Sequence, residues 1–321
     1  MYRSILVPLD GSEFAEAAIP WALSIANRAG ANLELVRVHE LYALQDPHAS
    51  WAPYIASEDT AFWEQEQAYL AERARRLRAT ATAQVTAKLL DGLVEEAILK
   101  HAQSKPVDLI VMAIHGRGPL DCFLAGSVAE GLVRHGSAPV LLVRPQEPLH
   151  GPEPEPSLKR LLIPLDGSEL AERILEPAIA LGSAMDAECI LIRAVEPTSP
   201  LDGFAVIVDP IAIERSKNAR TAAAQAHLDQ VAERLRTRGL RTQTQVVVGK
   251  AADAIVEAAR RQDIKLIALA THGRGGLGRF VLGSVADKVV RSAFTPVLVY
   301  RPHANSPLHA NEPELAAASR R

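Results

Sequence analysis

Ala270 to Ser284 reads ATHGRGGLGRFVLGS, a glycine-rich stretch between an apolar run, Leu266 to Leu269, and a helix-like pattern, Val285 to Ser292. A glycine loop between a buried strand and a helix N-terminus can turn its amide N–H groups inward. The helix dipole adds positive potential there, so the chemistry it suits is anion binding. A second copy, AIHGRGPLDCFLAGS, runs from Ala113 to Ser127, 157 residues earlier (270 against 113). Copies at matching places in two halves imply a duplicated unit. An acidic turn accompanies each: Leu9-Asp10-Gly11-Ser12-Glu13 after Pro8, and Leu165-Asp166-Gly167-Ser168-Glu169 after Pro164.

Gly273, Gly275 and Gly278 satisfy G-x-G-x-x-G. A dinucleotide fingerprint, however, follows the first strand of its unit and has an acidic residue about 20 positions on. Here the glycines follow a fourth strand, and Asp121 breaks the first copy. No G-x-x-x-x-G-K-[ST] loop is present either. His115 and His272 lie in the loops with no nucleophile or paired carboxylate in the motif, which makes them loop-shaping rather than catalytic residues. Asp10-x-x-Glu13, Asp166-x-x-Glu169, Ser127-x-x-Glu130 and Ser284-x-x-Asp287 all resemble capping boxes. For the two serines, capping and phosphate contact fit equally, since one helix N-terminus can serve both.

The elements that must position these groups alternate. Strands are expected at Ser4–Pro8, Asn32–Val38, Gln84–Leu90, Leu109–Ala113 and Val140–Val143, and again at Arg160–Pro164, Glu188–Val195, Thr242–Val248, Leu266–Ala270 and Val297–Tyr300. Helical patterns fall between them, near Glu13–Arg28, Asp59–Thr80, Glu169–Ser183 and Ile211–Arg238, with further helices opening after Gly92, Gly249, Ser127 and Ser284. Gly239 is a candidate C-cap. Each half therefore reads β-α-β-α-β-α-β-α-β, a five-stranded parallel sheet covered on both faces. Ligands of such doubly wound sheets sit at the carboxyl ends of the strands, where the winding reverses. The Asp-Gly-Ser turn and the glycine loop can share that crevice. Tyr42, Trp51 and Tyr54 lie in a divergent connection beyond the second strand.

The chain has 321 residues, enough for two domains. Each half can bury about 70% of its unfolded surface. Residues 1–147 and 159–303 are the expected domains, with a Pro-rich linker at 148–158 and a tail at 304–321. A net charge of −3 gives no basic field for nucleic acid. Cys122 and Cys189 occupy non-equivalent places, which is no disulfide framework. No signal-peptide pattern and no run of ~20 apolar residues is found, so the expectation is a soluble cytoplasmic protein without membrane contact.

The spacing common to both halves is Gly116, nine residues, then Gly126-Ser127, and Gly273, nine residues, then Gly283-Ser284. With VPLDGS and IPLDGS at the first strands, the chain resembles the universal stress protein family in its tandem form, over all but linker and tail. The family signature is G-x-x-G, nine residues, then G-[ST]; its first glycine is Ala113 in one half and Ala270 in the other. The resemblance implies a Rossmann-like, adenine nucleotide alpha hydrolase-like fold, with the halves paired through their fifth strands as an internal pseudo-dimer. It implies ATP, with Mg²⁺ as an optional companion. Pro8, Asp10, Pro164 and Asp166 would lie near the nucleoside, and Val38 or Val195 near the base. Gly116, Gly126 and Ser127, or Gly273, Arg279, Gly283, Ser284 and Val285, would surround the phosphates beside Ala113 or Ala270.

Aligned loop on loop, Gly276 corresponds to Pro119, Gly278 to Asp121 and Arg279 to Cys122. The first half has lost an N–H, gained an anion and lost a cation. Each charge change is worth on the order of 1–4 kcal/mol beside a phosphate, so the second half is the expected nucleotide site. The function so implied is a stress-response regulator that binds ATP and acts through a regulatory protein partner, with slow hydrolysis at most. A nucleotide-independent interaction scaffold and a slow ATPase are the alternatives. The apolar fifth-strand edges would invite pairing if left bare, which the pairing of the halves avoids; association of two chains as a homodimer is a separate, open partner expectation.

Overall fold

The structure is a computed structural model and describes residues 2–40, 52–114, 127–145, 156, 158–197, 210–271 and 282–302, with side chains 52–59, 210 and 212 left out. The first half contains β1 (Ser4–Pro8), α1 (Glu13–Glu16), α2 (Ile19–Ala29), β2 (Asn32–His39), α3 (Ala52–Arg78), β3 (Val85–Asp91), α4 (Val94–Ser104), β4 (Leu109–Ala113), α5 (Ser127–His135) and β5 (Val140–Val143). The second contains β6 (Arg160–Pro164), α6 (Glu169–Glu172), α7 (Leu175–Ala184), β7 (Glu188–Val195), α8 (Pro210–Thr237), β8 (Thr242–Val248), α9 (Ala251–Arg261), β9 (Leu266–Ala270), α10 (Ser284–Ser292) and β10 (Val297–Tyr300).

All strands join one sheet in the order β3-β2-β1-β4-β5-β10-β9-β6-β7-β8. Pairing within each half is parallel, while β5 and β10 run antiparallel, with Leu141 opposite Leu298. The internal pairing of two five-stranded units is therefore present. It removes the two apolar edges that would otherwise lie bare. Along β5, Val140 and Leu142 face one core while Leu141 and Val143 face the other. That period of two explains the unbroken apolar runs: both faces are covered, one by α2, α3, α7 and α8, the other by α4, α5, α9 and α10.

Further contacts fix one half against the other. Tyr2 donates its hydroxyl to the Pro177 carbonyl at 2.8 Å, and burial pushes its ionisation well above the usual phenol range. Arg144 donates to the Val290 carbonyl in α10, and Arg301 to the Arg134 carbonyl in α5. These guanidinium groups meet carbonyls near helix C-termini, where a cation is favoured. Leu158, within the expected linker, is buried with the core.

Two sequence expectations need correction. Each expected first helix is two helices, α1 then α2 and α6 then α7. Pro20 and Pro177 cannot donate to the carbonyls of Glu16 and Arg173 and clash with them, so the ladder restarts. The long helices, expected from Asp59 and Ile211, begin at Ala52 and Pro210. Gly239 does end the second of them: its φ is +84°, and Leu240 N–H reaches back to the Leu235 carbonyl at 3.2 Å.

Candidate functional site

Each half reverses its winding between β1 and β4, or between β6 and β9, and a crevice opens at the carboxyl ends of those strands. The second-half crevice, about 180 Å³, is lined by Pro164, Asp166, Ile192, Ala194, Ala251, Ile255, Ala270, Gly283, Ser284 and Val285, among others. The first-half crevice, about 240 Å³, is lined by Pro8, Asp10, Phe14, Arg37, Val38, Val94, Ile98, Met112, Ala113 and Ser127, among others. Both are smaller than the ~300 Å³ typical of ligand pockets. Residues 115–126 and 272–281, the glycine loops that adjoin them, lie outside the described residues.

The acidic turns are built identically. Asp10 Oδ1 accepts the Ser12 amide at 2.8 Å and its hydroxyl at 2.6 Å, and Ser12 Oγ accepts the Ala15 amide at 3.1 Å. Asp166, Ser168 and Ala171 repeat those distances. The helix caps are thus Ser12 and Ser168, not Asp10 and Asp166 as the capping-box pattern suggested. Each aspartate instead holds the cap from behind and is fixed on the crevice wall. Gly11 and Gly167 sit at φ +90°, a conformation that suits glycine.

The expected capping box at α10 is also absent. Its N-cap is Gly283, at φ +76° and ψ +151°, and no side chain caps it. The first helical bond runs from Asp287 N–H to the Gly283 carbonyl, while the Asp287 carboxylate pairs with Arg291. The amides of Ser284, Val285 and Ala286 therefore precede the ladder at the crevice wall, where the helix dipole is positive. Close by, Thr271 Oγ1 is fully buried and has no hydrogen-bond partner among the described residues, and Ile114 holds the corresponding place in the first half.

Of the expected residues, Pro164, Asp166, Ala270, Gly283, Ser284 and Val285 come together in one crevice, and Pro8, Asp10, Val38, Ala113 and Ser127 in the other. Gly116, Gly126, Gly273 and Arg279 lie outside the described residues, as do His115, His272, Cys122, Tyr42 and Trp51. Val195 does not join its crevice; Ala194 does. In sheet register, Val38 pairs with Leu90 and Ala194 with Val247, so Ala194 is the counterpart of Val38. Val195, one residue on, points to the opposite face and is buried. Sequence reasoning also missed the α4 and α9 contributions, Val94, Ile98, Ala251 and Ile255. The signal available was the apolar face of each helix opening after Gly92 or Gly249.

A larger cavity, about 530 Å³, lies at the amino ends of β6, β7 and β9. Its charges largely pair with one another, Arg160 with Glu188, Arg241 with Asp186 and Lys265 with Asp263. It sits at the strand ends opposite those where ligands of this architecture bind, so the smaller crevices are the candidate sites. Cys189 is buried in the core, which pushes its thiol up to about 11, an inert group. Among the described residues no cluster of three His, Cys, Asp or Glu could hold a metal, and no helix is long and apolar enough to cross a membrane.

The universal stress protein family model matches residues 1–144 and again 157–301. A universal stress protein from Mycobacterium tuberculosis is 26% identical over 313 residues, covering 92% of this chain and 94% of that one. One from Methanocaldococcus jannaschii is 31% identical over 147 residues, covering 44% of this chain and 82% of its own. A universal stress protein structure from Archaeoglobus fulgidus aligns with a TM-score of 0.67 at 21% identity, over 94% of this chain and 98% of that one, a likeness of fold.

Proposed function

Because this chain belongs to the universal stress protein family, we propose that it is a stress-response protein whose second-half crevice binds ATP and whose occupancy is read by a regulatory protein partner. The observation that carries the reading is the uncapped N-terminus of α10, opening from a left-handed Gly283 across the crevice from Asp166. Three amides with no helical acceptor suit phosphate oxygens. Ile192, Ala194, Ala251 and Ile255 offer an apolar slot for a flat base, and the Asp166 carboxylate suits sugar hydroxyls. ATP would supply a triphosphate, with or without Mg²⁺, for those amides to hold. The first-half crevice is walled by the corresponding elements, but its loop carries Pro119 and Asp121, and it does not take the triphosphate in this reading.

Calorimetric titration of nucleotide-free protein with ATP and Mg²⁺ tests this. One site per chain is the expected stoichiometry. Two equal sites keep the function and remove the asymmetry. No binding, confirmed by a second method, leaves the interaction scaffold, which the ligand-free caps at Ser12 and Ser168 favour. Steady-state phosphate release well above background replaces the proposal with a slow ATPase.

A further inference from the structure

A guanidinium lies across each Asp-Gly-Ser turn. A Cβ built on Gly167 would stand 2.7 Å from Arg193 Nη1, and one on Gly11 would stand 3.1 Å from Arg37 Cζ. Both arginines come from the same register position of the second strand of their half, beside a residue that lines the crevice. Their partners differ. Arg37 is held by Glu66 of α3, with Nε and Nη2 at 3.1 and 2.9 Å from Oε1, and it lies 5.5 Å from the Tyr69 ring centroid. Glu66 Oε2 is taken by His39 at 2.8 Å. Among the described residues Arg193 has no hydrogen-bond or ion-pair partner, although it is only partly exposed.

The cause is one side chain. Tyr69 in α3 bonds Glu16 at the end of α1, and His227 in α8 bonds Glu172 at the end of α6, so those two positions correspond. Three residues before each stand Glu66 and Ala224, and Ala224 is buried. Arginine stays protonated at any relevant pH, and a half-buried charge without a counter-charge is costly. The Asp-Gly-Ser turn at the first crevice is therefore crossed by a neutralised arginine that lines the crevice, and the turn at the second by an unneutralised one that stands beside the lining residues Ile192 and Ala194.

We infer that Arg193 recognises a negatively charged group of the ligand, and that the residue at the Glu66/Ala224 position sets which crevice accepts an anionic ligand. This rests on the nucleotide reading given above. It adds a determinant outside the glycine loop, on a different element, that acts in the same direction as the loop differences.

The test titrates the full chain with ATP, ADP, AMP and adenosine at low and high salt. Ala224→Glu is expected to weaken ATP about tenfold, with the penalty shrinking as phosphates are removed and vanishing for adenosine. Salt should narrow the gap. Ala224→Gln, of the same shape without the charge, should leave ATP within about twofold. Glu66→Gln should move the ATP stoichiometry from one towards two. If Ala224→Glu does not fold, Arg193→Gln takes its place, with ATP weakened and adenosine unchanged. Equal losses for ATP and adenosine, or equal effects of Glu and Gln at 224, would mean a steric role and overturn the inference while keeping the nucleotide site. A wild-type protein that binds adenosine but not ATP, or binds neither, would overturn the nucleotide reading and this inference with it.

Discussion

The turn after β1 and the turn after β6 carry the same three hydrogen bonds at the same lengths, yet the crevices above them differ in side-chain size and charge. Val38, Val94 and Met112 of the first crevice face Ala194, Ala251 and Leu269 of the second. Arg37 is neutralised and Arg193 is not. A buried Thr271 hydroxyl in one half is Ile114 in the other. Duplication kept the backbone scaffold, which hydrogen bonding over-determines, while the surface facing the ligand diverged. Shared fold is therefore a poor guide to shared ligand here, and the halves must be assigned separately.

The sharpest way to break that comparison is at the loop glycines. Gly283→Val places a β-branched residue at φ +76° and should abolish ATP binding, a loss of about 10²-fold or more, whereas Gly126→Val should leave it unchanged. Calorimetry on both variants decides; the opposite pattern would reverse the assignment of the halves. Next in size, replacing Pro119, Asp121 and Cys122 with Gly, Gly and Arg restores an amide, removes an anion and adds a cation. This graft should give the first half a measurable ATP site, gaining roughly 10–100-fold, read as a second equivalent in the titration.

A smaller effect separates adjacent residues. Ala194→Trp should fill the second crevice and weaken ATP by about tenfold or more, while Val195→Ala should change stability but not affinity. Thermal shift with and without ATP distinguishes the two, and a nucleotide effect confined to Val195 would restore the sequence register. The smallest concerns stability alone. Glu34 lines up with Ile190 of the second half. Burial would raise its pKa, but hydrogen bonds from His101 and Lys105 hold it below the usual carboxylate range. A depressed carboxylate stabilises above its unfolded pKa, about 4.3, and that contribution fades as pH falls through the folded value. The gap in urea midpoint between wild type and Glu34→Gln should therefore be full near pH 7 and narrow steadily below about pH 4.3. A gap that is constant with pH would deny the tie.

Much of the architecture was legible before any coordinates. Eight strands match their expected limits at both ends, β2 runs one residue further to His39, and β3 is shifted by one residue to Val85–Asp91. Apolar runs of that length, punctuated by glycine and proline, leave little freedom in a doubly covered sheet. The pairing of the fifth strands was implied by resemblance and is present in the antiparallel β5–β10 ladder. The split of the first helices was also readable, since Pro20 and Pro177 announce it.

What the sequence determined by itself was the order of elements, the twofold repeat and the placing of a glycine loop before a helix, because these depend on local periodicity and on residues adjacent in the chain. What only the tertiary structure decided was which side chain of a strand meets the crevice, which residue caps a helix and which arginine meets a counter-charge. Ala194 rather than Val195 faces inward because register is fixed by neighbouring strands and reverses every second residue. Arg37 is paired with a glutamate 29 residues away, and Arg193 is left without that counter-charge because α8 presents an alanine at that place. Such pairings exist only once a helix has packed on its sheet, so no local pattern in the chain records them.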